Sequence, residues 1–294
     1  MEIFSSKKLK QLFSPENTSN GEDNGQVTII GGSSLFKGAP LFALKTASRV
    51  VDMVFFSSPE PTMKEVVAYI NADVPDFVWV PFEEISKYIE KSDAVLIGPG
   101  FMRFKSELTP HNARTHICDE ACELTRNITK ELLTKFPHKK WVIDAGSLQT
   151  IDAEWIPENA IVTPNRKEFK MLFKIDPPEA KKNVTEEDVE IVQRMAEKYK
   201  CIVVLKGPET IVASSAQSVV VKGGNPGLTK GGTGDTQSGI TVALLAKNEP
   251  FLAACSAAYL IKKAADEIHE RVGVYYNATD VGEEIPRVLA SLTH

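Results

Sequence analysis

The sequence predicts an α/β fold in which a mostly parallel central sheet is covered by helices on both faces. Three observations predict it. Short aliphatic or β-branched runs alternate with helical segments along most of the chain. Those runs are continuously apolar, as strands buried on both faces must be. Several of them end in small or polar residues, the pattern of a sheet that delivers its C-terminal strand ends to one ligand-binding edge. At 294 residues, 43% hydrophobic and 25% charged, the chain can bury a large core.

In chain order, residues 1–25 are polar and read as a short amphipathic lead-in followed by a loop. Residues 27–30 are the first strand and exit into Gly31-Gly32-Ser33. Residues 53–56 and 77–80 read as further strands. Residues 94–97 exit into Gly98-Pro99-Gly100, 141–143 into Asp144-Ala145-Gly146, 160–162 into Thr163-Pro164-Asn165, and 202–205 into Lys206-Gly207. Helices are predicted over 63–70, 82–90, 121–136 and 186–199. Runs 210–213 and 218–221 lie close together and read as a hairpin at the sheet edge. Helices then follow over 235–247, 251–269 and 281–292. No Pro/Gly/Ser-rich linker divides the chain, so residues 26–294 read as a single domain.

The net charge of −5 implies no basic face, so nucleic acid is not an expected partner. No run has the length of a signal peptide or a bilayer span, which predicts a cytoplasmic protein without a membrane partner. Cys118, Cys122, Cys201 and Cys255 are too few and too irregular for a disulfide scaffold. Cys118 and Cys122, four apart, read as inert helix cysteines, and no metal site is assigned. The histidines, His111, His116, His138, His269 and His294, form no constellation. Lys181-Lys182 and Lys262-Lys263 read as solvated faces.

The most informative stretch is residues 223–239, Gly-Gly-Asn-Pro-Gly-Leu-Thr-Lys-Gly-Gly-Thr-Gly-Asp-Thr-Gln-Ser-Gly, directly before an apolar run. Glycines ahead of a helix start let free N–H groups converge, and the helix dipole adds positive potential there. Gly231, Gly232, Thr233 and Gly234 would form that anion hole. A carboxylate beside an anion hole needs a reason. For Asp235 the simplest is that it takes a proton from a hydroxyl attacking phosphorus. A loop that merely turns the chain is the bland alternative. No Gly-Lys-Ser/Thr closes the stretch, so it is not a Walker A loop. Lys206 reads either as a solvated strand-end lysine or as a phosphate ligand, and Asp144 either as a turn cap or as part of Mg2+ or phosphate chemistry.

With Ile30-Gly31-Gly32-Ser33, Gly38-Ala39, Ile97-Gly98-Pro99-Gly100, Asp144-Ala145, Thr163-Pro164, Lys206-Gly207 and Asn225-Pro226-Gly227 through Gly234-Asp235 in this order, the chain resembles the NAD(P)H-hydrate dehydratases. They are a branch of the ribokinase-like superfamily. The resemblance implies a ribokinase-like three-layer α/β/α sandwich. It also implies Mg2+-dependent repair of hydrated NADH or NADPH: ADP or ATP phosphorylates the 6-hydroxyl of the hydrate, and phosphate then leaves. By resemblance Asp235 is the base and a hydrate contact, and residues 231–234 are the anion hole. Lys206, Gly207, Pro208, Glu209, Thr210 and Gly234 hold the adenine nucleotide. Ala39, Gly100 and Asn165 face the hydrate. A homo-oligomer, with a tetramer as one form, is expected. A kinase of another small hydroxylated molecule is the alternative.

Three departures fall on the substrate side. Asn165 stands where the family has His, Gly146 where it tends to Asp, and Phe101-Met102 where it has Leu-Gly. Asn can hydrogen-bond but cannot carry a proton.

Overall fold

The computed structural model describes residues 1–70, 76–103, 105–108, 114–179 and 182–293. His111, Lys181 and His294 lie outside the described residues. The strands are β1 (Glu2–Ile3), β2 (Gln26–Ile30), β3 (Met53–Ser57), β4 (Val78–Trp79), β5 (Ala94–Ile97), β6 (Lys105–Leu108), β7 (Arg114–Ile117), β8 (Lys140–Ile143), β9 (Ile161–Val162), β10 (Ile202–Leu205), β11 (Thr210–Ala213) and β12 (Ser218–Val221). The helices are α1 (Ala39–Ala47), α2 (Met63–Ile70), α3 (Ile85–Lys91), α4 (Glu120–Lys135), α5 (Ala145–Thr150), α6 (Arg166–Phe173), α7 (Glu186–Lys198), α8 (Thr233–Lys247), α9 (Pro250–Val272) and α10 (Ala278–Thr293).

Ten strands form one sheet in the order β1-β12-β11-β10-β9-β8-β5-β2-β3-β4. Of these, β11 alone runs antiparallel, paired with β10 and β12; the remaining neighbours pair parallel. Strands β6 and β7 form a separate antiparallel pair. The order reverses beside β2, with β5 on one side and β3 on the other. Such a reversal opens a crevice at the carboxyl ends of the strands.

The strand sequences divide the core in two. Val27, Ile29, Leu96, Val142 and Val204 turn to one face, against α1, α8, α9 and α10. Ile30, Val95, Ile97, Trp141, Ile143, Val203 and Leu205 turn to the other, against α3, α4, α6 and α7. Most inward positions of both faces are apolar, which is why these strands lack the alternation of a half-solvated sheet; Thr28, buried on β2, pairs its hydroxyl with Ser92 Oγ at 2.7 Å. The result is the three-layer α/β/α sandwich expected from the sequence.

Two expectations change. Residues 2–12, expected in the lead-in, supply β1 and place Phe4, Leu9 and Leu12 in the core. Cys118 and Cys122 are not two inert helix thiols. Cys118 precedes the α4 N-cap Asp119, Cys122 lies in the first turn, and the two form a disulfide with Cα atoms 5.2 Å apart. Cys201 and Cys255 are free and buried. Among the described residues no helix is long and apolar enough to cross a membrane.

Candidate active site

The sheet brings β2, β5, β8, β9, β10 and β12 to one edge, and each exit contributes. The β2 and β5 exits pack backbone to backbone: Gly32 N donates to Pro99 O at 2.8 Å. A Cβ at Gly31 would lie 2.2 Å from Pro99 O, and one at Gly100 2.4 Å from Phe36 O. Only glycine permits this approach, and Gly100 also needs its φ of +75°. Ala39 opens α1 directly beside this wall. Arg103 stacks over the Phe36 ring at 5.1 Å, giving the wall a cationic, aromatic rim.

Two of the sequence departures are one adjustment. A Cβ at Gly146 would fall 2.4 Å from Phe101 O and 2.8 Å from Phe101 Cβ. The buried Phe101 occupies the space that an Asp at 146 would need. Asn165 is explained by the helix it starts. Its Oδ1 accepts from Glu168 N at 3.0 Å, and Glu168 Oε2 accepts from Asn165 N at 2.9 Å, a complete capping box for α6.

At the centre sit four charged side chains. Lys206 Nζ donates to Asp144 Oδ1 at 2.9 Å; Asp144 is buried and the Lys206 side chain is 20% exposed. Glu168 is buried beside them and accepts from Gln149 Nε2 at 3.2 Å. Asp235 faces the same cluster from the first turn of α8. Burial, reinforced by Asp144 and opposed by Lys206, pushes the Asp235 carboxyl up to about 7. Burial likewise raises Glu168. Burial pulls Lys206 down, but Asp144 and Glu168 outweigh it and its pKa is raised. Lys206 is therefore a charged, half-buried partner of the carboxylates and not a solvated strand-end lysine. Asp144 is not a turn cap, because its side chain makes no cap hydrogen bond to α5. The next residue, Ala145, holds φ +50°, a strained turn for a side chain with a Cβ.

The glycine-rich stretch turns as the sequence implied, with α8 starting at Thr233, two residues before Asp235. Gly232 is the N-cap with φ +93°, and a Cβ there would lie 2.5 Å from the Phe42 ring. Gly231 and Gly234 differ from it. Nothing lies within 4 Å of a Cβ at Gly231, and one at Gly234 would stand 3.5 Å from Lys206 Nζ. The start of α8 thus opens onto space bordered by Lys206 and Asp235, which suits a phosphoryl group.

Of Gly207, Pro208, Glu209 and Thr210, the last two have their side chains engaged elsewhere. Glu209 accepts from Val184 N at 2.9 Å and pairs with Lys222, and Thr210 is buried in β11. What this segment can offer a nucleotide is backbone. A cavity of about 730 Å³ opens at the opposite end of the sheet, lined by Lys140, Cys201, Gln217 and Cys255; chemistry and not size locates the site in this fold. Sequence reasoning missed Glu168, Gln149 and Lys262. The capping-box spacing Asn165 to Glu168 could have flagged the first. Lys262, expected on a solvated face, is buried, with Nζ on three backbone carbonyls.

The chain is similar to known proteins over most of its length. The profile of the NAD(P)H-hydrate dehydratase family matches residues 27–287. A bifunctional NAD(P)H-hydrate repair enzyme of Methanocaldococcus jannaschii is 33% identical over 96% of this chain and 51% of its own length. The chain therefore spans about half the length of that relative. An ADP-dependent (S)-NAD(P)H-hydrate dehydratase of Cenarchaeum symbiosum is 28% identical over 91% of this chain and 89% of its own. Among solved structures, the Bacillus subtilis ADP/ATP-dependent NAD(P)H-hydrate dehydratase co-crystallised with ATP and Mg2+ superposes with a TM-score of 0.78 at 21% identity, covering 99% of this chain and 98% of its own. That likeness, with a ribokinase-like protein of Enterococcus faecalis at a TM-score of 0.77, 20% identity and coverage of 99% and 96% of the two chains, establishes the ribokinase-like fold. With its markers in order along the chain and gathered at one sheet edge, the chain belongs to the NAD(P)H-hydrate dehydratase family.

Proposed function

We propose that this protein restores NADH or NADPH from the 6-hydroxy hydrate of the reduced nicotinamide, spending ADP or ATP. The observation that carries the reading is Asp235, a carboxyl raised to about 7 at the helix start that forms the anion hole. A base is most effective when its pKa lies near the working pH. In the proposed reaction the hydrate's hydroxyl oxygen attacks the terminal phosphorus, Asp235 takes its proton, and the bond from that phosphorus to the bridging oxygen breaks to release AMP from ADP, or ADP from ATP. The free N–H groups at the start of α8, together with Lys206, stabilise the transferring phosphoryl group. The ring nitrogen then pushes its lone pair toward the hydroxyl-bearing carbon and the C–O bond to phosphate breaks. Proton loss from the neighbouring carbon restores the dihydropyridine. The same N–H groups hold the departing phosphate.

The residues present fit Mg2+. Three carboxylates, Asp144, Glu168 and Asp235, face a single ammonium, and the buried Gln149 Oε1 beside Glu168 has no hydrogen-bond donor. Among the described residues no trio of His, Cys, Asp or Glu forms a cage. This suits a cation that takes one or two carboxylates and completes its shell with water and nucleotide phosphate. Asp144 and Glu168 would hold it. When bound, it supplies neutralisation of phosphate charge. The names of the C. symbiosum and Nitrosopumilus maritimus relatives support ADP as donor. A cytoplasmic homo-oligomer completes the proposal, and light scattering after size exclusion checks the assembly.

The altered substrate wall at Phe101, Gly146 and Asn165 favours one second reading, a kinase of another small alcohol. One experiment separates the two. The protein is incubated with NADH hydrate, Mg2+ and ADP, and dihydronicotinamide absorbance is followed. NADH, AMP and inorganic phosphate should appear in equal amounts. A stable phosphate ester without free phosphate would establish the kinase reading instead.

A further inference from the structure

We propose that Lys262 is a positioning residue that presets the nucleotide wall of this site, by clamping together the loop after β10 and the loop after β12. The inference rests on the nucleotide-binding part of the proposed function. Lys262 lies on α9 and is only 4% exposed. Its Nζ donates to Gly207 O at 3.0 Å, Pro208 O at 2.8 Å and Gly223 O at 3.1 Å. All three ammonium protons are therefore spent on backbone carbonyls, two in one loop and one in the other. One helical turn on, Asp266 accepts from Gly224 N at 2.8 Å and Asn225 Nδ2 at 3.1 Å. A buried ammonium is expensive unless every proton is taken. Here every one is, so the side chain's reach and direction are fixed.

The two loops are shaped around this ammonium. Gly223 and Gly224 hold φ of +96° and +80°, and a Cβ at Gly224 would come 3.1 Å from Lys262 Cγ. In a trans peptide the carbonyl and the following N–H point in opposite directions. With Pro208 O turned onto Lys262, the N–H of Glu209 is turned away from it. The loop after β12 continues through Asn225, held by Tyr276 Oη at 2.7 Å, and through Lys230, whose Nζ is tied to Val274 O and Tyr276 O. It ends at Gly231 and Gly232, where α8 begins. A cross-tie at its root sets where the anion hole stands relative to the 207–210 backbone, before any ligand arrives. Such preorganisation raises affinity by removing the ordering cost of binding.

The ammonium is also titratable within reach. Burial, opposed by Asp266 and Glu209, pulls its pKa down to about 8. The groups that face it are Asp266 from α9 and Glu209 from the β10–β11 loop with Lys222 paired to it; Tyr276, whose phenol is pushed above its usual value mainly by burial, lies beyond Asp266 and Asn225. Deprotonation leaves one carbonyl without a donor and removes the charge from the other two bonds.

The test uses the full chain and ADP, with binding read by calorimetry. Lys262→Met keeps the stem but leaves the carbonyls unpaired. It should weaken ADP binding about 10- to 100-fold, the worth of a charged hydrogen bond. KM for the nucleotide should rise in step, with kcat changed less. Lys262→Arg should recover much of the affinity. Wild-type affinity should fall as pH rises past about 8, while Lys262→Arg, which stays charged, keeps a flat profile. Unchanged ADP affinity in a folded Lys262→Met protein overturns the proposal. If that variant does not fold, unchanged ADP affinity in a folded Lys262→Gln protein, whose amide can donate to two of the three carbonyls at most, overturns it. A wild type that shows this pattern but leaves the hydrate unconverted supports the clamp and overturns the functional reading. A wild type that binds no adenine nucleotide overturns both.

Discussion

In the proposed reaction Asp235 is a side chain that serves chemistry against stability. Its carboxyl is held at about 7 in the folded protein, against an ordinary 3.8. A raised folded-state pKa means that the native state prefers the proton. Its stabilising contribution is complete below the unfolded value and is lost as pH rises through the folded one. Asp235→Asn should therefore lower kcat about 10²- to 10⁴-fold while raising the melting temperature. That gain should grow between the two pKa values and level off above the folded one; melting curves across pH, beside initial rates, check both. The neighbouring glycines should separate in the same way. Gly234→Val places its Cβ 3.5 Å from Lys206 Nζ without a positive φ, so the fold should hold while ADP affinity falls. Gly232→Val meets Phe42 and Ala278 Cβ at a φ of +93° and should cost at least about 1–3 kcal/mol of stability. Calorimetry on the first and urea denaturation on the second distinguish phosphate space from backbone need.

Helix α6 carries Glu168 into the charged cluster, and its start decides where that carboxylate stands. The reciprocal pair of bonds between Asn165 and Glu168 both caps the helix and orients Glu168 Oε2. Asn165→His removes the capping oxygen and should cost about 1 kcal/mol, visible as a lower denaturation midpoint. Because Glu168 loses its fixed rotamer as well, activity on the hydrate should fall and not rise. A clear gain in turnover would show that the family's histidine acts on the substrate independently of the cap. Helix α7 repeats the device, with Thr185 and Asp188 as the reciprocal pair, yet its cap orients nothing in the site.

For the molecule as a whole, the sheet edge at β12 depends on the first residues of the chain. Phe4, Leu9 and Leu12 are buried, and β1 covers β12. Removing residues 1–12 should cost about 1.5–3 kcal/mol for each of these side chains and leave β12 as an open edge prone to pairing with other chains. A lower melting temperature together with concentration-dependent light scattering is the expected result. The sequence made the long, doubly buried strands plain because their composition needs no tertiary context. It did not reveal β1, two residues in a polar stretch, or α5 and α6, which are too short for a helical period to stand out. In the site, Asp235 and Lys206 were legible from the glycines beside them. Glu168 was hidden in Asn-Arg-Lys-Glu, which reads as a solvated turn. Lys262 was hidden beside Lys263, and only the packing of α9 distinguishes one from the other. The disulfide was obscured because Cys118 and Cys122 fit one helical turn equally well.

Helix α8 is buried continuously from Thr236 to Ala246, with α1 and α9 against it and the sheet beneath. A helix enclosed in this way has no soft direction. It cannot tilt or slide without repacking both neighbours, so its amides open to solvent only when the whole molecule unfolds. In the proposed reaction the groups it carries at its first turn would be an anvil, fixed in place through every cycle. In that reaction, whatever movement admits substrate and sheds product would come from the opposite jaw, the glycine-jointed loops after β2 and β5 that carry Phe36 and Arg103. The speed of the cycle would be set by how fast that jaw swings, while its accuracy is set by the part that does not move.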